Sequence, residues 1–333
     1  MTQGVTLLPI GGLHRLDIVP IWGNPCKEVE TRGDITIFLH NDKVYSGGVQ
    51  SRISLIKKEV PMSGKIPLDL TALSETLLIP LWAKTVEQQQ SVPLLVDPVA
   101  SQMLARLDYD FSQYAKATAS QAGCCGRAWL FDEQARRFIA AHPDAVVVQI
   151  GAGLDARYER LGRPAVTAWY DLDLPEVIAL RRELLPESGN IYLSESLFAS
   201  DWMDRAAAHG KPVLLLCEGV LMYFAASDVR AWLATLAQHL PQATLVFDII
   251  PTILVGRAKR HDALGSMKKA PPEMKWSVKD SRELETWLPG LTLEEELPLS
   301  KTCGKRYPLF LRLLYALGAG SKLDQRVVRV KLP

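Results

Sequence analysis

Apolar residues follow two rhythms along this chain. Leu70, Leu73, Leu77 and Leu81 recur every three or four positions, as the buried stripe of a helix does. Residues 98–107 carry a second helical stretch, and residues 127–141 a third with Trp129, Phe131, Ala135 and Phe138 on one face. His142-Pro143-Asp144 ends it. From residue 145 the rhythm changes. Residues 145–150 are an almost unbroken β-branched run, which predicts a strand buried on both faces. Four more strands are predicted at 166–170, 190–193, 213–217 and 243–248, separated by helical stretches at 155–161, 175–185, 200–209 and 227–240. Pro175 suits the first turn of its helix, where an N–H has no partner to lose. This alternation predicts an α/β fold with a parallel sheet covered on both sides.

After Pro251 the alternation stops. Residues 252–279 are basic, with Met267, Met274 and Trp276 interspersed, and a helix is expected near 282–288. Two late strands at 291–297 and 326–332 flank a basic, apolar segment at 301–317. Five parallel strands and two closing ones fit a seven-stranded sheet whose last strand runs antiparallel. Residues 1–61 differ from the rest, with glycine pairs at Gly11-Gly12 and Gly47-Gly48 and β-like runs such as 35–39. A small β appendage is one reading of them. A poorly ordered extension, or upstream sequence ahead of a natural start at Met62, is preferred, because so short a segment makes a weak core.

Composition narrows the class. The 333 residues are 48% hydrophobic and 23% charged, which excludes disorder, collagen and coiled coil as whole-chain descriptions. Lys+Arg number 38 against 37 Asp+Glu, so a dedicated nucleic-acid binder is not expected. The five cysteines (Cys26, Cys124, Cys125, Cys217, Cys303) include no C-x-x-C pair and no accompanying histidine cluster; they are read as reduced structural thiols, with no metal site. Met1 to Gly23 lacks a basic region followed by an apolar core, and the most apolar stretches are too short to span a bilayer. A cytoplasmic protein with no membrane partner is expected; the oligomeric state is not legible.

The chemistry concentrates at the end of the first predicted strand. Val146-Val147-Val148-Gln149-Ile150 runs straight into Gly151-Ala152-Gly153-Leu154-Asp155-Ala156. Such glycines permit a tight turn and close approach of a ligand, and the following helix start offers free N–H groups. Asp173, in Tyr170-Asp171-Leu172-Asp173-Leu174-Pro175, stands at the tip of the second strand, where a carboxylate can take both ribose hydroxyls of an adenosine cofactor. Spacing alone fits a dinucleotide too, and a plain glycine turn with a capping aspartate is the structural alternative. Two features favour S-adenosyl-L-methionine. Asp155 just after the glycines would repel pyrophosphate, and the long helical stretch before the first strand suits a cap over a methyltransferase site.

From about Met62 the chain resembles the leucine carboxyl methyltransferase superfamily, and within it the bacterial polyketide-synthesis-type, tetracenomycin methyltransferase-like O-methyltransferases. The matching segments begin at Leu70-Thr71-Ala72-Leu73-Ser74-Glu75, Gly151-Ala152-Gly153-Leu154-Asp155, Asp171-Leu172-Asp173-Leu174-Pro175 and Glu218-Gly219-Val220-Leu221-Met222-Tyr223. The resemblance implies a class I methyltransferase, Rossmann-like seven-stranded sheet, mostly parallel with its last strand antiparallel. An N-terminal helical cap at 62–144 precedes a core at 145–333, with lid insertions at about 252–280 and 300–325; residues 1–61 stay outside the likeness.

The resemblance also implies site roles. Arg127 matches an arginine that holds the cofactor's methionine carboxylate, for which a guanidinium offers two parallel donors. Gly151, Ala152 and Gly153 match the turn beneath the methionyl group, and Asp173 the ribose acid, with Asp171 as an alternative on the same strand face. Ser196-Leu197 match the adenine-contacting pair; relatives often carry Asp at the first position, so that bond is expected to be weaker here. Glu218 matches an acid near the cofactor amine, and Tyr223 a wall of the site.

Methyl transfer is an in-line displacement from an activated sulfonium, so alignment is the main demand on the protein. A hydroxyl acceptor needs its proton removed and a carboxylate does not. His261 is a candidate base, with a solvated surface histidine as the alternative, and no catalytic residue is assigned. Met267, Met274 and Trp276 are candidate acceptor-pocket residues, with packing within the lid as the equal alternative. Residues 300–333 hold eight Lys+Arg and one acid, Asp324, read as a solvated basic face or an attraction for an anionic acceptor. The expected function is S-adenosylmethionine-dependent methyl transfer to an oxygen of a small-molecule acceptor. The alternatives are protein C-terminal carboxyl methylation and an NAD(P)-dependent oxidoreductase.

Overall fold

Seven strands form one sheet: β1 (Val146–Ile150), β2 (Ala168–Asp173), β3 (Ile191–Ser194), β4 (Val213–Cys217), β5 (Thr244–Ile249), β6 (Thr292–Pro298) and β7 (Arg326–Lys331), in the order β3-β2-β1-β4-β5-β7-β6. The first five pair in parallel, and β7 is antiparallel to both β5 and β6. This is the mostly parallel seven-stranded sheet with a reversed last strand. The order reverses between β1 and β4, so the crevice outside their carboxyl ends is the expected ligand position.

The computed structural model describes residues 7–10, 13–16, 30–31, 37–40, 43–46, 65–68, 70–317 and 324–333. The chain divides into two units, Met1–Pro61 and Met62–Pro333. In the first, Leu7–Ile10, Leu13–Leu16 and Glu30–Thr31 pair antiparallel, as do Ile37–His40 and Lys43–Ser46. The glycine pairs and Cys26 lie outside the described residues.

In the second unit, helices α1 (Ala72–Glu75), α2 (Leu78–Glu87), α3 (Pro98–Arg106) and α4 (Thr118–Ala141) precede the sheet. The leucine stripe at 70–81 is therefore two helices, broken after Thr76, rather than one. Thr71 caps the first through its side chain, accepting the N–H of Ser74 at 3.0 Å. Helix α4 starts at Thr118, well before the expected residue 127. Gly123 and Gly126 lower the helix propensity of that first half. Gly126 has a packing reason: a Cβ there would lie 2.4 Å from Cys303 Sγ. The α4 N-terminus has no cap of its own; Asp262 supplies one, accepting the N–H groups of Ala119 at 3.1 Å and Ser120 at 3.2 Å.

Helices α5 (Arg157–Arg160), α6 (Pro175–Leu184), α7 (Asp201–Ala207) and α8 (Ala226–His239) connect the parallel strands. One sheet face, with Val148, Leu215 and Phe247, packs on Trp202, Met203, Trp232 and Leu236 of α7 and α8. The other, with Val147, Leu214, Leu216 and Val246, packs on Leu130, Phe131 and Ala135 of α4. Fully burying a large apolar side chain contributes roughly 1.5–3 kcal/mol.

Beyond β5 the alternation of strands and helices ends. Short 3₁₀ turns occupy Thr252–Leu254, Ala258–Arg260, Leu264–Ser266 and Ser281–Thr286, the last where a helix was expected. Helices α9 (Leu299–Cys303) and α10 (Leu309–Ala316) lie between β6 and β7. The basic C-terminal stretch is only partly a solvated face. Arg329 pairs with Glu294 at 2.9 Å and Glu295 at 3.3 Å on β6, and Arg326 is buried beside Ser281. The acids of one strand are met by the arginines of its neighbour. Among the described residues no helix is long and apolar enough to cross a membrane.

Candidate cofactor and active site

A cavity of about 750 Å³ opens at the carboxyl ends of β1, β2 and β4. Arg127, Gly151, Ala152, Gly153, Asp173, Ser196, Leu197 and Glu218 all line it. They come from five separate places in the chain, so the topology alone brings them together.

The turn after β1 is built by its glycines. Gly151 has φ +66°, and a Cβ there would sit 2.3 Å from Val220 Cγ2. Gly153 has φ +52°. L-residues with a Cβ pay for this left-handed region, so the turn after β1 nests against the turn after β4 only because side chains are missing. Asp173 then locks the turn. Its Oδ2 accepts the Gly153 N–H at 2.7 Å and its Oδ1 the Leu174 N–H at 2.7 Å. Burial raises its pKa, against the pull of those two N–H groups. Each carboxylate oxygen keeps a second lone pair for a ligand hydroxyl.

Asp171 does not share this site. It is buried within the fold, accepting Trp169 Nε1 at 3.0 Å, Arg181 Nη2 at 3.0 Å and Asn190 Nδ2 at 2.5 Å. Alternation along a strand left both acids open; Arg181 reaching back from α6 decides for Asp173 at the cavity.

Arg127 projects from α4 on the face that also carries Ser120, Gly123 and Cys124 to the cavity, at helical spacing. Its Nε donates to Glu218 Oε1 at 3.0 Å and its Nη1 to Asp248 Oδ2 at 3.2 Å. Burial would lower its pKa, but Asp248 and Glu218 outweigh that and hold it charged. Glu218 is itself shared, because its Oε2 accepts Arg157 Nη2.

Asp155 changes meaning in the structure. From sequence its charge was expected to repel pyrophosphate. Lys84 at 2.5 Å, Arg160 at 2.8 Å and Arg157 at 3.1 Å surround it. Burial opposes its ionisation, but these cations hold its pKa well below the usual carboxylate range. Its charge is neutralised locally and no longer argues for or against any cofactor. The same network includes Asp132, which accepts Arg157 Nε at 2.9 Å and Arg160 Nε at 2.7 Å, and Asp97, which accepts Arg160 Nη1 at 2.7 Å. None of Lys84, Asp97, Asp132 or Arg160 stands out in sequence, whereas Arg157 closes the segment that begins with the glycine turn. The one local signal is an Arg at each end of a short helix just after the glycine turn.

On the strand-β3 side, the Leu197 carbonyl accepts the indole N–H of Trp202 at 3.2 Å and of Trp232 at 3.0 Å, which fixes the loop. Phe198 and Phe224, both at the cavity, meet edge to face at 5.0 Å. Glu195 also lines the cavity, beside Ser196.

Ile253, Leu254, Met274, Phe310 and Leu311 add apolar side chains to the lining of the cavity. Tyr223 lines it too, its phenol pushed up to about 12 by burial. Trp276 does not line it: its ring packs against Phe247 and Trp287, 6.2 and 5.7 Å away, and Met267 is likewise core. His261 reaches the cavity. Burial lowers its pKa, against Asp262, and its Nδ1 accepts the Leu264 N–H at 3.3 Å. Among the described residues no group of three His, Cys, Asp or Glu side chains is placed to hold a metal ion.

Comparison with known proteins decides among the cofactors this geometry admits. Residues 78–237 match the family model for leucine carboxyl methyltransferase. The chain is 36% identical over 229 residues to the tetracenomycin polyketide synthesis O-methyltransferase TcmP of Streptomyces glaucescens, covering 68% of this chain and 83% of that protein. The chain belongs to the leucine carboxyl methyltransferase family. It is also 27% identical over 266 residues to the S-adenosyl-L-methionine-dependent methyltransferase dpfgK of Gibberella zeae, covering 70% of this chain and 84% of the relative. A solved S-adenosylmethionine-dependent methyltransferase from Anabaena variabilis aligns at a TM-score of 0.43 and 10% identity, over 81% of this chain and 99% of that one.

This family member is an S-adenosyl-L-methionine-dependent methyltransferase, and the nicotinamide reading is set aside. The cavity fits the cofactor by its own features: a glycine cradle that a Cβ would fill, an acid with lone pairs to spare, and a charged arginine. When bound, S-adenosylmethionine supplies a methyl group on a sulfonium whose departure needs no further activation.

Proposed function

We propose that the enzyme methylates an oxygen, hydroxyl or carboxylate, of a small-molecule acceptor. In this reading Asp173 binds the ribose hydroxyls and Arg127 the methionine carboxylate. Gly151, Ala152 and Gly153 cradle the methionyl group, Ser196 and Leu197 contact the adenine, and Glu218 faces the amine. The observation that carries it is the substantial identity to a relative named as an O-methyltransferase. The cavity supports it, because the same space continues from the glycine turn to an apolar wall. A volume of this order is ordinary for a small-molecule site.

The residues then have three tasks. The polar floor holds the donor at a fixed place. The apolar wall of Ile253, Leu254 and Phe310 orients the acceptor and excludes water. A carboxylate acceptor arrives ionised and asks nothing more. A hydroxyl acceptor must lose a proton; in this reading His261, at the cavity, takes it at Nδ1, the ring nitrogen that otherwise accepts the Leu264 N–H.

Transfer of labelled methyl from S-adenosylmethionine to a panel of aromatic hydroxy acids tests this. Labelled small product, classed by base treatment as hydrolysable ester or stable ether, is expected. Label appearing only on protein C-termini would favour the carboxyl methylation named in the family description.

A further inference from the structure

Asp248 stands at the carboxyl end of β5 and is only 2% exposed. Nothing in its sequence context singles it out, yet three elements meet on it. Its Oδ1 accepts the N–H of Gly219, in the turn after β4, at 2.6 Å. Its Oδ2 accepts Arg127 Nη1 of α4 at 3.2 Å and Gln325 Nε2, just before β7, at 2.7 Å. Glu218 takes Nε of the same guanidinium at 3.0 Å. Gly219 closes a third side. Its φ is +72°, and a Cβ there would lie 2.9 Å from Arg127 Nη2.

One arginine is thus held along two edges by two acids and packed against a glycine. Glu218 alone would leave the guanidinium free to turn about its Nε bond. A second acid on Nη1 fixes the plane. The Gly219 and Gln325 donors in turn fix that acid and spread its charge. A group ordered before its ligand arrives binds without the cost of ordering.

We propose that Asp248 is a positioning residue that fixes the Arg127 guanidinium in the cavity wall ready for the cofactor's carboxylate. This rests on the reading of Arg127 as the carboxylate-binding residue. Gln325 completes the arrangement by tying Asp248 to the entry of β7.

A double-mutant cycle on the full chain tests it, read by calorimetric binding of S-adenosylhomocysteine. Arg127→Ala is expected to weaken binding roughly tenfold or more, and Asp248→Asn alone about fivefold. In the Arg127→Ala background, Asp248→Asn is expected to change affinity by less than about twofold, because the residue it acts through is gone. Asp248→Asn is also expected to raise KM for S-adenosylmethionine with kcat changed less than about twofold. Near-ultraviolet circular dichroism checks folding, and Asp248→Ser carries the same expectation if the asparagine variant is unstable. Wild-type affinity in Asp248→Asn overturns the proposal. So does an equal loss from Asp248→Asn with and without Arg127, which would mark a general structural role. Unchanged affinity in Arg127→Ala alone is the separate failure of the Arg127 reading.

Discussion

Asp173 and Gly153, twenty residues apart in sequence, are joined by a 2.7 Å hydrogen bond from the glycine N–H to the carboxylate. The acid at the end of β2 therefore shapes the turn after β1 as well as facing the cavity. Asp173→Ala is expected to weaken S-adenosylhomocysteine binding at least about tenfold, since a hydrogen bond to a charged group is worth roughly 1.5–3 kcal/mol. Calorimetry measures it, and unchanged affinity would remove the ribose assignment.

The same residue sets a pH dependence. Burial raises the Asp173 pKa in the folded state. The native protein then takes up this proton before the unfolded chain does, so the group's contribution to ligand-free stability grows as pH falls through its folded pKa. Binding moves the other way, because the neutral acid is the weaker acceptor. Affinity should start to fall at a pH above the ordinary aspartate value of about 3.9, and an Asn variant should lack that step.

Arg157 is fully buried and bridges Asp132, Asp155 and Glu218. Arg157→Met removes one partner from three buried acids, which typically costs about 3–5 kcal/mol, read from urea unfolding. Burial opposes ionisation of Asp132 and Asp155, but the arginines outweigh it and lower both pKa values. Depressed folded values mean that this stability is complete above the unfolded aspartate pKa of about 3.9 and is lost as pH falls below it. Arg157→Met should weaken that acid-side dependence without abolishing it, because Arg160 and Lys84 remain on the same acids; a wild-type acid profile in the variant would contradict it.

Gly151→Ala combines a left-handed backbone with a clash against Val220. The backbone alone costs roughly 1–2 kcal/mol. Adding Val220→Ala should recover the clash but not the backbone cost, so the double variant should lie between Gly151→Ala and wild type in thermal midpoint. Full recovery would mean that the turn tolerates a side chain.

The five parallel strands were legible because each is a short, mostly apolar run bounded by turn residues, and the two-sided burial of β1 and β4 leaves little else for such runs to be. The glycine turn and the acid at the end of β2 were legible because the left-handed turn demands glycine and the N–H groups beside it favour a carboxylate. The first half of α4 was not, because Gly123 and Gly126 lower its helix propensity, and Gly126 answers to tertiary packing on Cys303 instead. The Lys84–Asp155–Arg157–Arg160 cluster was not either. Its members are ordinary surface residue types until the fold buries them against one another. Asp155 shows the hazard of reading a charge without its partners.

Cys124 lines the cavity, and burial pushes its thiol up to about 11, against the nearby Arg127. Little thiolate exists at pH 8, so alkylation by iodoacetamide should be slow in the folded enzyme. Bound S-adenosylhomocysteine should slow it further, as followed by peptide mass mapping. Rapid labelling unaffected by ligand would contradict the placement of Cys124 in the wall.

A crystal structure with S-adenosylhomocysteine is the most direct measurement. The ribose hydroxyls are expected within hydrogen-bond distance of Asp173, the carboxylate on Arg127 and the methionyl chain over Gly151 and Gly153. The sulfur should face the apolar wall of Ile253 and Leu254. A cofactor seated elsewhere, or with its ribose away from Asp173, would contradict the site.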